Sequence, residues 1–173
     1  MNLDRKLLLL DSRRIDGLGS ILDAPQHQKC LTLTADDRAP GTARSFTREA
    51  LTAWGVEDLL DHVELIVSEL ATNAERHGRR VVHRGGSERA KQDPHRDEIT
   101  LRLALQDGVV GIEVEDNSPE PPVPRIASPY ATGGHGLLLV SAMADAWTAC
   151  PKKDGSGKRV IAFVKRPETS LTP

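Results

Sequence analysis

Two runs of alternating apolar and polar residues, 99–106 and 109–115, meet at the dipeptide Asp107-Gly108. A period of two is typical of a strand that buries one face, because successive side chains point to opposite sides of a sheet. An Asp-Gly pair favours the positive φ angles that a two-residue hairpin turn requires. The pattern therefore predicts an antiparallel hairpin, the most strongly specified element of the chain.

Apolar residues recur at helical spacing in two segments, 43–54 and 63–74, and each segment is followed by a glycine, Gly55 or Gly78. Spacings of three and four residues place these side chains along one face, and glycine is common directly after a helix end. A third helix is predicted over about 137–147, where most faces are apolar. The chain is thus predicted to contain three main helices.

Three shorter apolar runs, Cys30–Thr34, Thr148–Cys150 and Arg159–Val164, are candidate strands, and the last two are predicted to form a second hairpin across a glycine-rich turn. Helices and antiparallel strand pairs in this order predict an α+β fold. We expect a two-layer sandwich, in which the three main helices lie on one face of a mostly antiparallel sheet.

The 173 residues fit a single domain, so the remaining segments are expected to be surface loops and termini. Charged, glycine and proline residues without a sustained period predict a weakly ordered N-terminal leader. A polar segment before the first hairpin predicts a mobile loop, and a proline-rich segment after it predicts an irregular connection. The predicted organisation is a leader at 1–28, a domain at 29–166 with loops at 79–98 and 117–132, and a tail at 167–173.

The composition restricts the classes of function. A formal net charge of -2 lacks the concentrated basic face that nucleic-acid binding requires. The apolar run Leu7–Leu10 is too short for a signal sequence or a membrane span, so a cytoplasmic protein with no membrane or nucleic-acid partner is expected. Cys30 and Cys150 lack metal-ligand spacing and lie in strand-like runs, where we expect reduced core residues.

Three polar residues border the predicted core. Glu69 and Asn73 lie one helical turn apart, at the edge of the apolar stripe of the second helix. An amide oxygen there could bind Mg²⁺ and a carboxylate could polarise a hydroxyl or water, although a solvated helix face would carry the same residues. Asp116 ends a strand of the hairpin, where it could accept the exocyclic amine of adenine or form an ordinary turn.

The segment Gly133-Gly134-His135-Gly136 directly precedes the third helix. Bare backbone N–H groups and a positive helix end create a site for phosphate, and the missing side chains permit close approach. A flexible junction between loop and helix explains the same glycines. These residues alone leave both alternatives open.

Taken in order, three sets of residues resemble the sequence boxes of the GHKL ATPases. The first is Glu69-Leu70-Ala71-Thr72-Asn73-Ala74 with His77-Gly78, the second is Val114–Pro119, and the third is Gly133–Leu137 with Ala144–Trp147. Within that superfamily the chain is similar to the small single-domain branch related to the anti-sigma factor serine kinases of actinobacteria. The resemblance covers about residues 30–165.

The resemblance implies a Bergerat fold, which holds ATP and Mg²⁺ between two helices under a flexible lid, here 117–132. It makes Asn73 the Mg²⁺ ligand, Glu69 the catalytic carboxylate and Asp116 the adenine anchor. It also implies five further nucleotide-binding residues: His77, Gly134, His135, Gly136 and Leu137.

The implied activity is transfer of the ATP γ-phosphate to a serine of an antagonist protein, with a sigma factor as a second partner and a homodimer as the assembly. Three residues depart from the usual pattern of the branch or superfamily. Ser118 replaces the lid glycine, His135 replaces a basic residue, and Arg159 stands where a small hydroxyl residue commonly helps to hold the adenine-site water. The alternative is a non-catalytic module that binds ATP or only a protein partner, and Glu69 favours the enzyme.

Overall fold

The computed structural model describes residues 21–78, 97–118 and 136–167, with no side-chain detail at 77 and 78. Five strands form one antiparallel sheet in the order β1-β2-β3-β5-β4. The strands are β1 His27–Thr34, β2 Glu98–Gln106, β3 Val109–Asp116, β4 Ala146–Pro151 and β5 Lys158–Lys165. The helices are α1 Ala39–Ala53, α2 Leu60–Gly78 and α3 Gly136–Met143, with a single 3-10 turn at Glu57–Leu59 before α2.

Local sequence fixes both ends of α1. The carboxylate of Asp36 accepts the backbone N–H of Arg38 at 2.9 Å, and Pro40 occupies the first turn, where no intrahelical donor is needed. At the other end Gly55 adopts a φ of +69°, and the N–H of Val56 returns to the carbonyl of Leu51 at 3.1 Å. This pattern closes the last carbonyls of the helix and turns the chain toward α2.

The hairpin β2-β3 is confirmed in the register that the sequence predicts. Gln106 pairs with Val109 across the turn, and Asp107 and Gly108 have φ angles of 49° and 72°. Both values are positive, as a type I′ turn requires. The turn therefore fixes which residues of the two strands face the helices.

The main hydrophobic core lies between the helices and one face of the sheet. Alternate residues of β2, β3 and β5 point into it, and α1, α2 and α3 all contribute buried side chains from the opposite side. Its largest fully buried side chains include Leu51, Ile66, Leu70 and Ile99. The predicted α+β two-layer sandwich, with three main helices on one face of an antiparallel sheet, is confirmed.

A second, smaller cluster covers the outer face of the sheet. Ile21 and Leu22 are 4% and 6% exposed, and they pack with Phe163 around Gly111. A Cβ on Gly111 would come within 3.2 Å of Leu22 and 3.3 Å of Ile21, so the missing side chain makes room for them. The leader was predicted to extend to residue 28, but the packed structure already includes 21–28 because these two side chains bury apolar surface.

The third helix is shorter than predicted. It ends at Met143, and residues 146–151 form β4 rather than a continuation of the helix. Asp145 makes the change of direction, because its N–H donates to the carbonyl of Phe163 and its carboxylate accepts the N–H of Lys165, at 2.9 and 2.7 Å. The segment 144–147, Ala-Asp-Ala-Trp, therefore ends in a strand, an outcome that periodicity cannot resolve in so short a segment.

Several predicted segments fall outside the described residues. These are the loop from 79 to 96, residues 119–132 of the predicted lid, and the tail from 168. Glu98, placed in the loop by the sequence, is the first residue of β2. In the part of the chain that the structure describes, no helix is long and apolar enough to cross a membrane.

Candidate functional site

Glu69 and Asn73 lie on α2 as the helical spacing predicts. Their side chains are half-buried at the border of the stripe formed by Ile66, Leu70 and Ala74, which are themselves buried. Neither makes a hydrogen bond or ion pair with any residue that the structure describes. A carboxylate and an amide one turn apart are therefore both available to an external partner.

Helix α3 begins directly against Glu69. An ideal Cβ built on Gly136 would stand 2.6 Å from Glu69 Oε2 and 3.7 Å from Glu69 Cβ. The space that a side chain at 136 would fill is thus occupied by the carboxylate. The sequence predicted Glu69 and Gly136 as parts of one site, and the structure brings them into contact.

The start of α3 lies beside this carboxylate, and the backbone N–H groups of a first helical turn have no intrahelical partner. Leu137 lies in that turn, and its side chain is buried in the main core, so only its backbone can face a ligand. Gly134 and His135 lie outside the described residues, and so does the side chain of His77. Their predicted contacts with a nucleotide remain predictions.

Asp116 is buried at the end of β3, with 2% of its surface exposed. Its Oδ1 accepts the backbone N–H of Ser118 at 2.7 Å. Lys158, 3% exposed, places Nζ 2.9 Å from Oδ2 and 3.0 Å from Oδ1 of the same carboxylate. The predicted adenine anchor is therefore one half of a buried ion pair, whose other half the sequence analysis missed.

Strand register explains why Lys158, and not Arg159, reaches Asp116. Asp116 pairs with Lys158 across β3 and β5, so their side chains share the helix-facing side of the sheet. Arg159 pairs with Glu115 and points to the opposite face, where its Nε donates to Cys150 Sγ at 3.1 Å. The resemblance implied that Arg159 lies beside the predicted adenine site. The register instead points Arg159 to the opposite face and directs Lys158, one residue earlier, toward Asp116.

The start of β5 is locked against the end of β3. A side chain on Gly157 would collide with the backbone of Asp116 and Asn117, so the two strands approach closer than any other residue would allow. Lys152 donates from Nζ to the side-chain oxygen of Asn117 at 2.8 Å, across the same junction. The position of Lys158 relative to Asp116 is thus fixed by backbone packing.

The outer face of the sheet carries a separate charged cluster. Glu113 is 5% exposed; its Oε1 accepts from Arg102 at 3.0–3.1 Å, and its Oε2 lies 3.6 Å from Arg159. Burial raises the pKa of the Glu113 carboxyl, and the positive charge of Arg102 opposes this effect without cancelling it. Arg102 also donates to the carbonyl of Leu22 at 3.3 Å, which ties residue 22 to the sheet.

The two cysteines are free thiols, but neither is a core residue as predicted. Cys30 is exposed and Cys150 is half-buried. Pairing with Arg102 and with Arg159 places both residues on the outer face of the sheet, away from Asp116. Strand-like apolar runs do not distinguish the two faces of a sheet, which is why the sequence misplaced them.

A comparison with known families assigns residues 33–163 to a histidine kinase-like ATPase domain. This match covers more than half of the chain. A comparison with curated proteins finds no significant match.

Among solved structures, the chain is similar to the crystal structure of the RsbU and RsbW domains of Rv1364c from Mycobacterium tuberculosis. The TM-score is 0.55 and the sequence identity 23%, over 82% of this chain and 32% of that one. The chain thus spans about a third of the length of the chain in that structure. At this level of identity the likeness establishes the fold alone.

Proposed function

Because the chain belongs to the histidine kinase-like ATPase family, we propose that it binds ATP with Mg²⁺ and transfers the γ-phosphate to a serine of a protein partner. The observation that carries this proposal is the contact between the Glu69 carboxylate and the first residue of α3. It places a candidate base beside the helix end to which a phosphate chain would bind. Glu69 and Gly136 are 67 positions apart in the sequence, so their contact results from the tertiary fold and not from local structure.

The residues that are present fit the proposed ligand. Asn73 offers an oxygen that has no partner among the described residues, and neutral amide oxygens together with phosphate oxygens suit Mg²⁺. The missing side chain of Gly136 leaves the carboxylate of Glu69 room beside the helix end. Asp116 ends the central strand β3, where a carboxylate could accept an adenine amine.

ATP with Mg²⁺ supplies an electrophilic γ-phosphorus and neutralises charge on the departing ADP oxygen. In this reaction Glu69 accepts the proton of the serine hydroxyl, while that oxygen forms the new bond to phosphorus and the bond to the ADP oxygen breaks. Asn73 holds the cation one helical turn from Glu69. The backbone N–H groups at the start of α3 orient the phosphates.

The proposed partner is the antagonist of an anti-sigma factor, with the sigma factor itself as a second partner and a homodimer as the assembly. The three sequence boxes support this choice, because they resemble the branch related to anti-sigma factor serine kinases. The fold likeness to a structure that contains an RsbW domain is compatible with it. The alternative is a module that binds ATP without turnover.

The test is to purify the protein, identify any released nucleotide by mass spectrometry, and then measure transfer of label from γ-labelled ATP to antagonist proteins of the source organism. We expect bound adenine nucleotide and a labelled serine. Glu69→Ala should still bind ATP but lower transfer by about 10²- to 10⁴-fold, because a base acts mainly in the transition state. Binding without transfer or hydrolysis would favour the non-catalytic module, and no binding would remove both functions.

A further inference from the structure

We propose that Lys158 is a second base-reading residue, which donates a hydrogen bond to N1 of adenine while Asp116 accepts the 6-amino group. This inference rests on the proposed ATP site and deepens it. It concerns a side chain that the sequence boxes do not include.

The available hydrogen-bonding capacity is the first argument. An ammonium group has three protons, and Lys158 directs its Nζ to only two acceptors within the described part of the chain, Oδ1 and Oδ2 of Asp116. Each carboxylate oxygen has two acceptor positions. Oδ1 already accepts from Ser118 and Lys158, whereas Oδ2 accepts from Lys158 alone. One donor and one acceptor therefore remain on adjacent atoms.

This remaining pair matches one edge of adenine. The 6-amino group is a donor and the neighbouring N1 is an acceptor, so a single base can satisfy Asp116 Oδ2 and Lys158 Nζ together. Guanine carries the reverse order, a carbonyl oxygen beside a protonated N1. In the same orientation that oxygen would face the acceptor-only carboxylate, so the pair favours a base with an amine beside an unprotonated ring nitrogen.

Burial is the second argument. Lys158 and Asp116 are 3% and 2% exposed, and two charges in such a place contribute little net stability, because their desolvation offsets their attraction. Replacement of such a pair by two apolar residues of similar volume often leaves stability nearly unchanged. The pair also lies on the helix-facing side of the sheet, on the same side as Glu69 rather than in the outer charged cluster. The position of the pair on this side of the sheet, together with its small net contribution to stability, indicates that the two charges serve binding.

The rigidity of the surroundings is the third argument. Gly157 allows the backbone of β5 to press against Asp116, and direct cross-strand pairing holds Lys158 opposite the carboxylate. A donor that is fixed before binding loses little conformational freedom when a base arrives. Lys158 is thus suited to discriminate between bases.

The experiment compares ATP with 1-deaza-ATP, in which a C–H group replaces N1, by calorimetric titration in Mg²⁺. The unmodified protein should bind 1-deaza-ATP about 10- to 100-fold more weakly, the usual effect of losing a hydrogen bond from a charged donor. Lys158→Met should bind both nucleotides with affinities within about twofold, because the donor is gone. Lys165→Met, at the exposed far end of the same strand, is the matched control and should discriminate as the unmodified protein does.

Equal binding of ATP and 1-deaza-ATP by the unmodified protein would overturn the inference. It would also be overturned if Lys158→Met bound ATP more tightly, because the ammonium would then be a competitor of the base. If Lys158→Met does not fold, Lys158→Arg decides, since it keeps a charged donor and should retain the discrimination. A protein that binds neither nucleotide would instead refute the proposed ATP site itself.

Discussion

The carboxylate of Glu69 occupies the space that a side chain on Gly136 would need, 2.6 Å from the ideal Cβ position. At the proposed reaction centre, the start of α3 therefore lies close to the middle of α2, because the missing side chain of Gly136 leaves room for the Glu69 carboxylate. A change at residue 136 should act on Glu69, without touching the phosphate chain directly.

Gly136→Ala should lower phosphoryl transfer by about 10- to 100-fold while the protein still folds. The added methyl group would displace the Glu69 carboxylate, and a small misplacement of a catalytic group slows a reaction. The measurement is kcat for labelled transfer, together with ATP affinity, which should change less. Gly41→Ala is a matched control, since a Cβ there meets only Arg44 at 3.9 Å. Unchanged transfer in Gly136→Ala would show that the position of Glu69 does not matter.

Asn73→Ala should remove the Mg²⁺ dependence of ATP binding and weaken binding in Mg²⁺ by at least about tenfold, because the protein would lose its oxygen ligand for the cation. Titrations in Mg²⁺ and in chelator measure this difference directly. Asn73→Asp keeps an oxygen and should retain the dependence. If Asn73→Ala still required Mg²⁺ to the same degree, another residue would be the ligand.

Lys158→Met should lower the free energy of unfolding by about 3–5 kcal/mol, because it leaves the buried Asp116 carboxylate without its countercharge. The double variant Asp116→Leu with Lys158→Met should recover most of this loss, since neither charge is then buried. Urea unfolding of the single and double variants at one pH provides the comparison. A double variant as unstable as the single one would mean that packing, and not charge, is responsible.

The raised pKa of Glu113 predicts a pH dependence of stability. A carboxyl whose pKa is higher in the folded state stabilises the protein fully below its unfolded value of about 4.3, and the contribution is lost as the pH rises through the folded value. Relative to Glu113→Gln, the unmodified protein should therefore lose stability as the pH rises from about 4 to 7. Unfolding free energies measured across this range test the sign, and a gain with rising pH would show that Arg102 and Arg159 dominate over burial.

The sequence predicted the elements whose patterns are long or whose turns are chemically specific. The stripes of α1 and α2 and the Asp107-Gly108 turn all belong to this class. The sequence prediction failed where local patterns are short, as at 144–147, because so few residues fit the period of a helix or of a strand equally well. There the backbone bonds of Asp145 to β5 decide the outcome.

The residues of the candidate site likewise divide into those that local sequence signals predict and those that depend on long-range contacts. Glu69, Asn73 and Gly136 could be predicted because helical spacing and a glycine before a helix are local signals. Lys158 could not, since its contact with Asp116 depends on the register of two strands 42 residues apart, and a shift of one residue selects Arg159 instead. Gly157 permits the close approach of the two strands at this register, and no local pattern in the sequence indicates that contact.

The cover formed by Ile21 and Leu22 has a practical consequence for expression of this domain. A gene trimmed to the family match at 33–163 would delete most of β1 as well as both covering side chains. The product would expose Phe163 and Gly111 on one face, and it would leave β2 as a bare edge that can pair with other chains. Such a fragment should accumulate as insoluble aggregate, whereas a gene that begins before codon 21 should yield soluble protein.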